Sequence, residues 1–320
     1  MKPAVVIVTP ALRQANTGNW QTARRWAGML AGAYRVRITD AWNAGDEALM
    51  LALHARRSAA SIAAWRARHG ARALALVLTG TDLYRDIATD LAAQRSLQLA
   101  DRLVVLHETA PLQLPTALRA KCVVSFQSAS ARQRLVKPGG RLRALMVGHL
   151  REEKSPQTYF EAARLLAARP DIWLDHIGGP LDPALGEAAV ATAQACPNYR
   201  WLGALSHAQT RRRIQAAHVL VHASVMEGGA HVVIEAVRSG TPVLGSAIDG
   251  NIGLLGANYA GYFAWGDAKA LATLLERARD EPAMLAELAR QCDARAPLFE
   301  PAHERATLLA LMAELLETPL

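Results

Sequence analysis

The chain has few cysteines, few aromatic residues and no long apolar run. Its three cysteines, at positions 122, 196 and 292, form no Cys-x-x-Cys pair, so neither a disulfide framework nor a zinc site is expected. No segment approaches 18 uncharged apolar residues, which argues against a membrane span. The first residues resemble a strand rather than a signal peptide, because no small-residue cleavage site follows them. We therefore expect a cytoplasmic protein.

Charge is unevenly distributed along the 320 residues. Residues 1–142 carry a formal charge of +12 and residues 143–320 a charge of −4. Nucleic-acid binders usually interleave clustered Lys and Arg with aromatics, but here aromatics are only 5% and the arginines are spread over several predicted helices. No nucleic-acid partner is therefore expected. The excess of basic residues in the first part of the chain is compatible with a site for small anionic ligands, and it is equally compatible with a solvated helix surface.

Short Val/Ile/Leu runs alternate with amphipathic helical stretches along the whole chain. The runs are continuously apolar, as in parallel strands that are covered on both faces. Two consecutive series of this kind predict an α/β protein with two doubly wound, Rossmann-like domains facing each other across a cleft. The twelve predicted strands are 4–10, 34–40, 48–54, 73–80, 102–107, 122–127, 143–150, 172–178, 199–203, 218–224, 241–246 and 261–265.

The break in this pattern at residues 137–140, Lys-Pro-Gly-Gly, is the best candidate for a linker. It predicts a first domain over residues 1–140 and a second over 141–300. Residues 301–320 are predicted to form a helix that could pack back on the first domain.

The most specific motif follows the predicted strand that ends at Ser224. It contains Glu227 and Glu235, with seven residues between them, and Gly228 and Gly229 at the start of a predicted helix. The glycines would let backbone N–H groups approach a ligand, and the two hydroxyls of a ribose would satisfy a carboxylate near a buried helix face. A dinucleotide-dependent dehydrogenase is disfavoured, because no Gly-x-Gly-x-x-Gly follows the first strand of either domain.

This motif resembles the nucleotide-binding signature of the family-4 retaining glycosyltransferases, which have the GT-B fold. The resemblance implies that Glu235 holds the nucleotide ribose and that Glu227 faces the donor sugar. Residues 147–154 resemble the family segment that grips the diphosphate: Lys154 matches, whereas His149 replaces an arginine for which Arg151 could substitute. In the first half, residues 16–19, 78–82 and 100–105 are similar to other segments of the family.

The resemblance assigns a set of residues to the nucleotide sugar. They are Gly18, Asn19, His149, Lys154, Glu227, Gly228, Gly229, Ala230, His231, Glu235 and Asn251. The residues expected to act in catalysis are Glu227, Lys154 and His54.

Residues 18–26, 54–59 and 78–86 also resemble the selenosugar synthases of selenoneine biosynthesis. This resemblance implies transfer from a UDP-sugar, typically UDP-N-acetylglucosamine, to selenophosphate with formation of a C–Se bond and without a metal or other cofactor. The expected acceptor-binding residues are Arg24, Arg25, Arg56, Arg57, Thr79, Thr81, Asp82 and Arg85. Two alternatives are a family-4 transferase that acts on a hydroxyl acceptor and a non-catalytic protein that binds nucleotide sugars.

Overall fold

A computed structural model describes residues 2–12 and 18–317 of the chain. The chain divides into two compact units, one formed by Met1–Gln127 with Pro301–Leu320 and the other by Ser128–Glu300. Each unit contains one parallel sheet of six strands with helices between them. The prediction of two Rossmann-like domains is confirmed.

In the first unit the strands are β1 (Ala4–Val8), β2 (Arg35–Thr39), β3 (Leu49–Leu53), β4 (Ala73–Val77), β5 (Arg102–Val105) and β6 (Cys122–Val124). Their order in the sheet is β2-β1-β3-β4-β5-β6. The helices are α1 (Gly18–Leu30), α2 (Ala59–His69), α3 (Ile87–Thr89), α4 (Leu91–Leu99), α5 (Thr116–Arg119) and α13 (Pro301–Glu317), with a π-helical turn over Asp82–Asp86 and a 3-10 turn over Ala110–Gln113.

The core of this unit lies on both faces of the sheet. Strands β3 and β4 are buried along their whole length, which explains why their sequences are apolar without alternation. Successive side chains still point to opposite faces: Leu51 packs in one cluster with Trp26 and Met312, and Met50 packs in the other with Trp65. Helices on both sides are therefore needed to complete the unit.

In the second unit the strands are β7 (Leu142–Val147), β8 (Ile172–Ile177), β9 (Tyr199–Trp201), β10 (Val219–His222), β11 (Val243–Ser246) and β12 (Tyr262–Phe263). Their order is β12-β11-β10-β7-β8-β9. The helices are α6 (Pro156–Leu165), α7 (Pro183–Ala195), α8 (His207–Ala216), α9 (His231–Val237), α10 (Asp249–Leu255), α11 (Ala268–Asp280) and α12 (Pro282–Arg295), with 3-10 turns over Glu152–Lys154 and Ala296–Phe299. Among the described residues, no helix is both long enough and apolar enough to cross a membrane.

The boundary between the units lies after Gln127 and not at residue 140. The backbone N–H of Ala129 donates to Phe299 O at 3.2 Å, and that of Arg132 donates to Arg238 O at 2.9 Å. Residues 128–140 are thus tied to the second unit by backbone hydrogen bonds. The Pro-Gly-Gly sequence marks a turn before β7, and the predicted boundary was wrong for this reason.

Helix α13 is anchored to the first unit by a buried carboxylate. Glu304 has no exposed surface and accepts hydrogen bonds from Arg25 Nε at 3.0 Å and Trp26 Nε1 at 2.7 Å. Glu314, on the same helix, pairs with Arg102 near the surface, where both side chains are more than a third exposed. The two ion pairs of α13 therefore differ mainly in burial.

We expect Glu304→Ala to lower the free energy of unfolding by about 3 kcal/mol, because it leaves the Trp26 N–H and a guanidinium without their acceptor. Glu314→Ala is the matched control and should cost less than about 1 kcal/mol, since its pair is solvated. Urea unfolding followed by circular dichroism measures both. Equal losses in the two variants would show that burial of Glu304 does not anchor the helix.

Candidate active site

The strand order of the second sheet reverses between β7 and β10. Strands β7 and β10 are neighbours in the sheet, but the chain continues from β7 to β8 in one direction along the sheet and from β10 to β11 in the other. In doubly wound sheets, ligands bind in the crevice that such a reversal leaves at the carboxyl ends of the strands. The segments after β7 and β10 carry Lys154 and Glu227.

Lys154 and Glu227 form an ion pair at this reversal. The aliphatic part of Lys154 lies against Gly148, where a Cβ atom would stand 3.3 Å from its Cγ and Cδ. Glu227 also accepts a hydrogen bond of 2.9 Å from the Ser224 hydroxyl. Burial favours the neutral acid, but the Lys154 ammonium and a hydrogen bond from His222 outweigh it and hold the pKa of Glu227 well below its ordinary value. The site therefore contains an ionised carboxylate.

Gly250, at the start of α10, permits this placement of Glu227. A Cβ atom at position 250 would lie 2.3 Å from the Glu227 carbonyl oxygen, which is closer than real contacts allow. The absence of a side chain lets α10 approach the loop after β10.

Glu235, on α9, is 2% exposed and is surrounded by basic groups. Its Oε1 lies 2.6 Å from His207 Nε2, 3.4 Å from Arg211 Nη1 and 3.4 Å from His231 Nδ1. Arg211 is buried, whereas the His207 side chain is 75% exposed. The carboxylate thus has one buried partner, Arg211, and two partners that are more exposed, His207 and His231.

These contacts shift the pKa values of Glu235 and His207. Burial alone would raise the pKa of Glu235, but hydrogen bonds from His207 and His231 lower it to about 2. The hydrogen bond to Glu235 raises the pKa of His207 above its ordinary value. Glu235 is ionised at neutral pH, and the pair with His207 strengthens when that histidine is protonated.

Of the other residues assigned to the nucleotide sugar, Gly18 and Asn19 lie in the first unit and the rest lie in the second. Gly228, Gly229 and Ala230 form the segment between β10 and α9. His149 follows β7, and its Nδ1 accepts the Gly179 N–H at 3.0 Å. Burial and the neighbouring charges of Arg151 and Lys154 lower the pKa of His149, so it offers a neutral N–H donor.

Asn251 does not point its amide toward solvent. It has no exposed surface, its Nδ2 donates to Ser246 O at 2.8 Å, and its Oδ1 lies 2.8 Å from His222 Nδ1. Its amide is fully occupied beneath the site, so the predicted direct contact with the nucleotide sugar is corrected to a supporting role. Sequence reasoning missed His222, because a histidine in an apolar strand is more often a packed core residue.

At the carboxyl edge of the first sheet, His54 adopts a strained conformation. It follows β3 with φ of 75°, a left-handed value that costs a non-glycine residue about 1–2 kcal/mol. Its Nδ1 accepts the Arg57 N–H at 3.4 Å, and its Nε2 lies 3.2 Å from Thr81 Oγ1. Burial outweighs the nearby carboxylates, of which Asp82 is the more influential, and lowers the pKa of His54, which makes it a neutral N–H donor.

Asp82 has a structural task that the sequence did not indicate. It has no exposed surface and accepts the backbone N–H groups of Ala55 at 3.0 Å, Thr79 at 2.9 Å and Gly80 at 2.9 Å. It ties the loop after β3 to the loop after β4. Its predicted acceptor contact is therefore corrected to positioning of Thr79, Thr81 and His54.

The arginines predicted to bind the acceptor fall into two groups. Arg24, Arg56, Arg57 and Arg85 are exposed, and Arg56 and Arg85 share Asp86 at 3.0 and 3.4 Å. Arg25 instead forms the ion pair with Glu304 that anchors α13. Because its guanidinium is already bound, the prediction for Arg25 is corrected to a structural role.

Gly18 and Asn19 are the first residues of α1, and the Gly18 carbonyl accepts the Thr22 hydroxyl at 3.0 Å. The preceding residues of that motif, 16 and 17, lie outside the described part of the chain.

Two further residues at the edge of the first sheet were missed by the sequence reasoning. His107, which follows β5, has no exposed surface, and its Nε2 lies 2.9 Å from Tyr84 Oη. Burial lowers the pKa of His107 to about 4, so it is neutral. Tyr84 lies within the segment 78–86, but that segment does not indicate its contact with His107, which depends on β4 and β5 being neighbours.

The described residues contain no group of three or more His, Cys, Asp or Glu side chains that could hold a metal ion. That the reaction needs no metal stays a prediction.

Comparison with known proteins identifies the family. The family described as "Glycosyl transferases group 1" matches residues 127–298, more than half of the chain. The chain belongs to the group 1 glycosyltransferases. A D-inositol 3-phosphate glycosyltransferase of Streptomyces avermitilis is 30% identical over 182 residues, which are 53% of this chain and 39% of that protein. The chain thus matches well under half of this relative.

Solved structures of low sequence identity share the fold. Sucrose-phosphate synthase from Thermosynechococcus elongatus is 16% identical with a TM-score of 0.78 and matches 99% of this chain and 100% of that one. Anabaena HepE, solved in complex with UDP-glucose, is 12% identical with a TM-score of 0.77 and matches 98% and 100%. The S. aureus TarM structure, at 12% identity and a TM-score of 0.66, matches 84% of this chain and 55% of that one. The GT-B fold predicted from the sequence is confirmed.

We expect the effect of Glu235→Gln on stability to depend on pH in a bell-shaped manner. The pKa of Glu235 is depressed from 4.5 to about 2, so its contribution is present above pH 4.5 and is lost as the pH falls. The pKa of His207 is raised, so its contribution is full below pH 6.5 and is lost at higher pH. The variant should therefore be about 3 kcal/mol less stable than the wild type near pH 5.5, with a smaller difference on either side.

Urea unfolding between pH 3 and pH 8 measures this difference. Glu161→Gln is the control, because the pair that Glu161 forms with Arg164 is exposed, and its loss should cost less than about 1 kcal/mol at any pH. A difference between wild type and Glu235→Gln that stays constant from pH 5.5 to pH 3 would contradict the proposed ionisation of Glu235.

Proposed function

We propose that the protein is a glycosyltransferase that moves a hexosyl group from a UDP-sugar to selenophosphate. The observation that carries the proposal is the placement of two ionised carboxylates in the second unit: Glu227, whose side chain is 15% exposed and which pairs with Lys154 at the strand reversal, and Glu235, which is 2% exposed. Membership in the group 1 glycosyltransferases supports the reaction class. The selenophosphate acceptor and UDP-N-acetylglucosamine as donor come from the resemblance to selenosugar synthases.

On the donor side, Glu235 binds the ribose in this proposal. Its exposed partner His207 would give way to the two ribose hydroxyls, while Arg211 stays in place beneath. Lys154 would turn from Glu227 to the diphosphate and stabilise the charge that develops on departing UDP. His149 would add a neutral N–H donor, and Glu227 would face the sugar.

In the reaction, a lone pair on selenium attacks the anomeric carbon and forms the C–Se bond. The bond from that carbon to the UDP oxygen breaks, and UDP leaves with the electron pair. Selenophosphate is already an anion, so the protein has to orient it more than activate it. The exposed Arg24, Arg56, Arg57 and Arg85, with the His54 N–H, are proposed to do this.

The proposed reaction is tested by incubating the protein with UDP-N-acetylglucosamine and either selenophosphate or simple alcohols. Mass spectrometry should find a selenium-containing sugar only with selenophosphate. Transfer to an alcohol without any selenosugar would favour the alternative with a hydroxyl acceptor. Tight UDP binding without turnover on any acceptor would favour a non-catalytic protein.

We expect Glu235→Ala to weaken UDP binding about 10- to 150-fold, the equivalent of about 1.5–3 kcal/mol for hydrogen bonds to a charged group. Isothermal titration calorimetry measures the change, with Glu161→Ala as the matched glutamate control. Unchanged UDP affinity in Glu235→Ala would show that the ribose binds elsewhere.

Arg57→Ala should raise the KM for selenophosphate about tenfold and leave the affinity for UDP within about twofold, since it removes one charged contact. Arg68→Ala is the control: Arg68 is also exposed, but it lies in the last turn of α2, at the other end of that helix. Steady-state kinetics of both variants decide the point. Identical KM values for wild type and Arg57→Ala would remove Arg57 from the acceptor site.

A further inference from the structure

The buried side chains beneath Glu227 fix the protonation of a histidine that the proposed function does not use. Asn251 Nδ2 lies 2.8 Å from Ser246 O, a carbonyl that can only accept. The amide oxygen of Asn251 must therefore face His222, where it lies 2.8 Å from Nδ1. Since an amide oxygen also only accepts, His222 Nδ1 carries a proton.

The other nitrogen of His222 faces the carboxylate. His222 Nε2 lies 3.2 Å from Ser224 Oγ and 3.5 Å from Glu227 Oε1. The Ser224 hydroxyl has one proton and donates it to Glu227 Oε1 at 2.9 Å. Its oxygen must then accept from His222, which requires a proton on Nε2 as well. With the Ser224 proton directed at Glu227, every contact in this series of hydrogen bonds is satisfied when both ring nitrogens of His222 carry protons.

His222 would be a second cation beside Glu227, and this matters because Lys154 has two roles. It neutralises Glu227 in the structure, and in the proposed function it turns to the donor diphosphate. A carboxylate that loses its cation inside a protein tends to take up a proton or to move. His222 is 2% exposed, and it lies on β10 rather than on the segment that carries Lys154.

We propose that His222, held in its doubly protonated form by Asn251 and Ser224, is a positioning residue that keeps Glu227 ionised and oriented when Lys154 binds the donor diphosphate. This inference rests on the proposed function. Among the described groups, the charged side chains that face His222 directly or through one neighbour are Glu227 and Lys154; α10 and β11 contribute the neutral Asn251 and Ser246.

The charge state of His222 is measured by ¹⁵N NMR of the full chain labelled at histidine, with His222→Gln used to assign its signals. At pH 7 both ring nitrogens should carry protons in the wild type and in Lys154→Met. In Glu227→Gln the imidazolium loses its counter-ion, and His222 should become neutral. A singly protonated ring in the wild type, or an imidazolium that persists in Glu227→Gln, would overturn the proposal. Because these spectra need no substrate, they decide the pairing even if the proposed reaction fails.

The catalytic consequence is measured by steady-state kinetics with a UDP-sugar. His222→Gln should lower kcat about tenfold or more while the KM for the donor stays within about threefold, because orientation of Glu227 matters after binding. His218→Gln is the matched control: His218 precedes the same strand, at its opposite end, and contacts Arg143 N and Pro138 O. A kcat within twofold of wild type in folded His222→Gln would reduce His222 to a packing residue. If that variant does not fold, the spectra of wild type and Glu227→Gln still decide.

Discussion

An ionised carboxylate can stay inside a protein only when cations or hydrogen-bond donors surround it, and this constraint explains the polar edge of the second sheet. The side chain of Glu227 is 15% exposed and that of Glu235 is 3% exposed, and each has a partner from a segment that is distant in sequence: Lys154 for Glu227 and Arg211 for Glu235. The strand order that places β7 beside β10 brings those segments together. The fold and the charge of the site therefore depend on each other.

The partners of the two carboxylates differ in how easily they can be replaced. Arg211 and His222 are almost fully buried and lie beside Glu235 and Glu227, respectively. His207 is largely exposed, and Lys154 reaches Glu227 from a separate loop. A ligand with hydroxyls and phosphates could take over the replaceable partners without leaving either carboxylate unpaired. This is the property that a nucleotide-sugar site requires, because binding then exchanges interactions rather than creating buried charges.

Much of this architecture could be predicted from the sequence, because apolar runs and strand-end motifs are local signals. The twelve strands and the placement of Lys154 and Glu227 at strand ends followed from such signals. Contacts between distant segments could not be predicted: Arg25 binds Glu304, 279 residues away, and Glu235 binds Arg211 and His207 on a preceding helix. The predicted domain boundary at residue 140 was wrong for a similar reason. The backbone hydrogen bonds of Ala129 and Arg132 with Phe299 and Arg238 cannot be inferred from the composition of the sequence.

The most direct test of the account is a crystal structure of the protein with UDP bound. We predict that the two ribose hydroxyls replace His207 at Glu235 and that the Lys154 ammonium contacts the diphosphate. His222 and Arg211 should keep their positions beneath the carboxylates. A nucleotide bound away from the carboxyl ends of β7 and β10, with the His207–Glu235 pair still intact, would contradict the central claim.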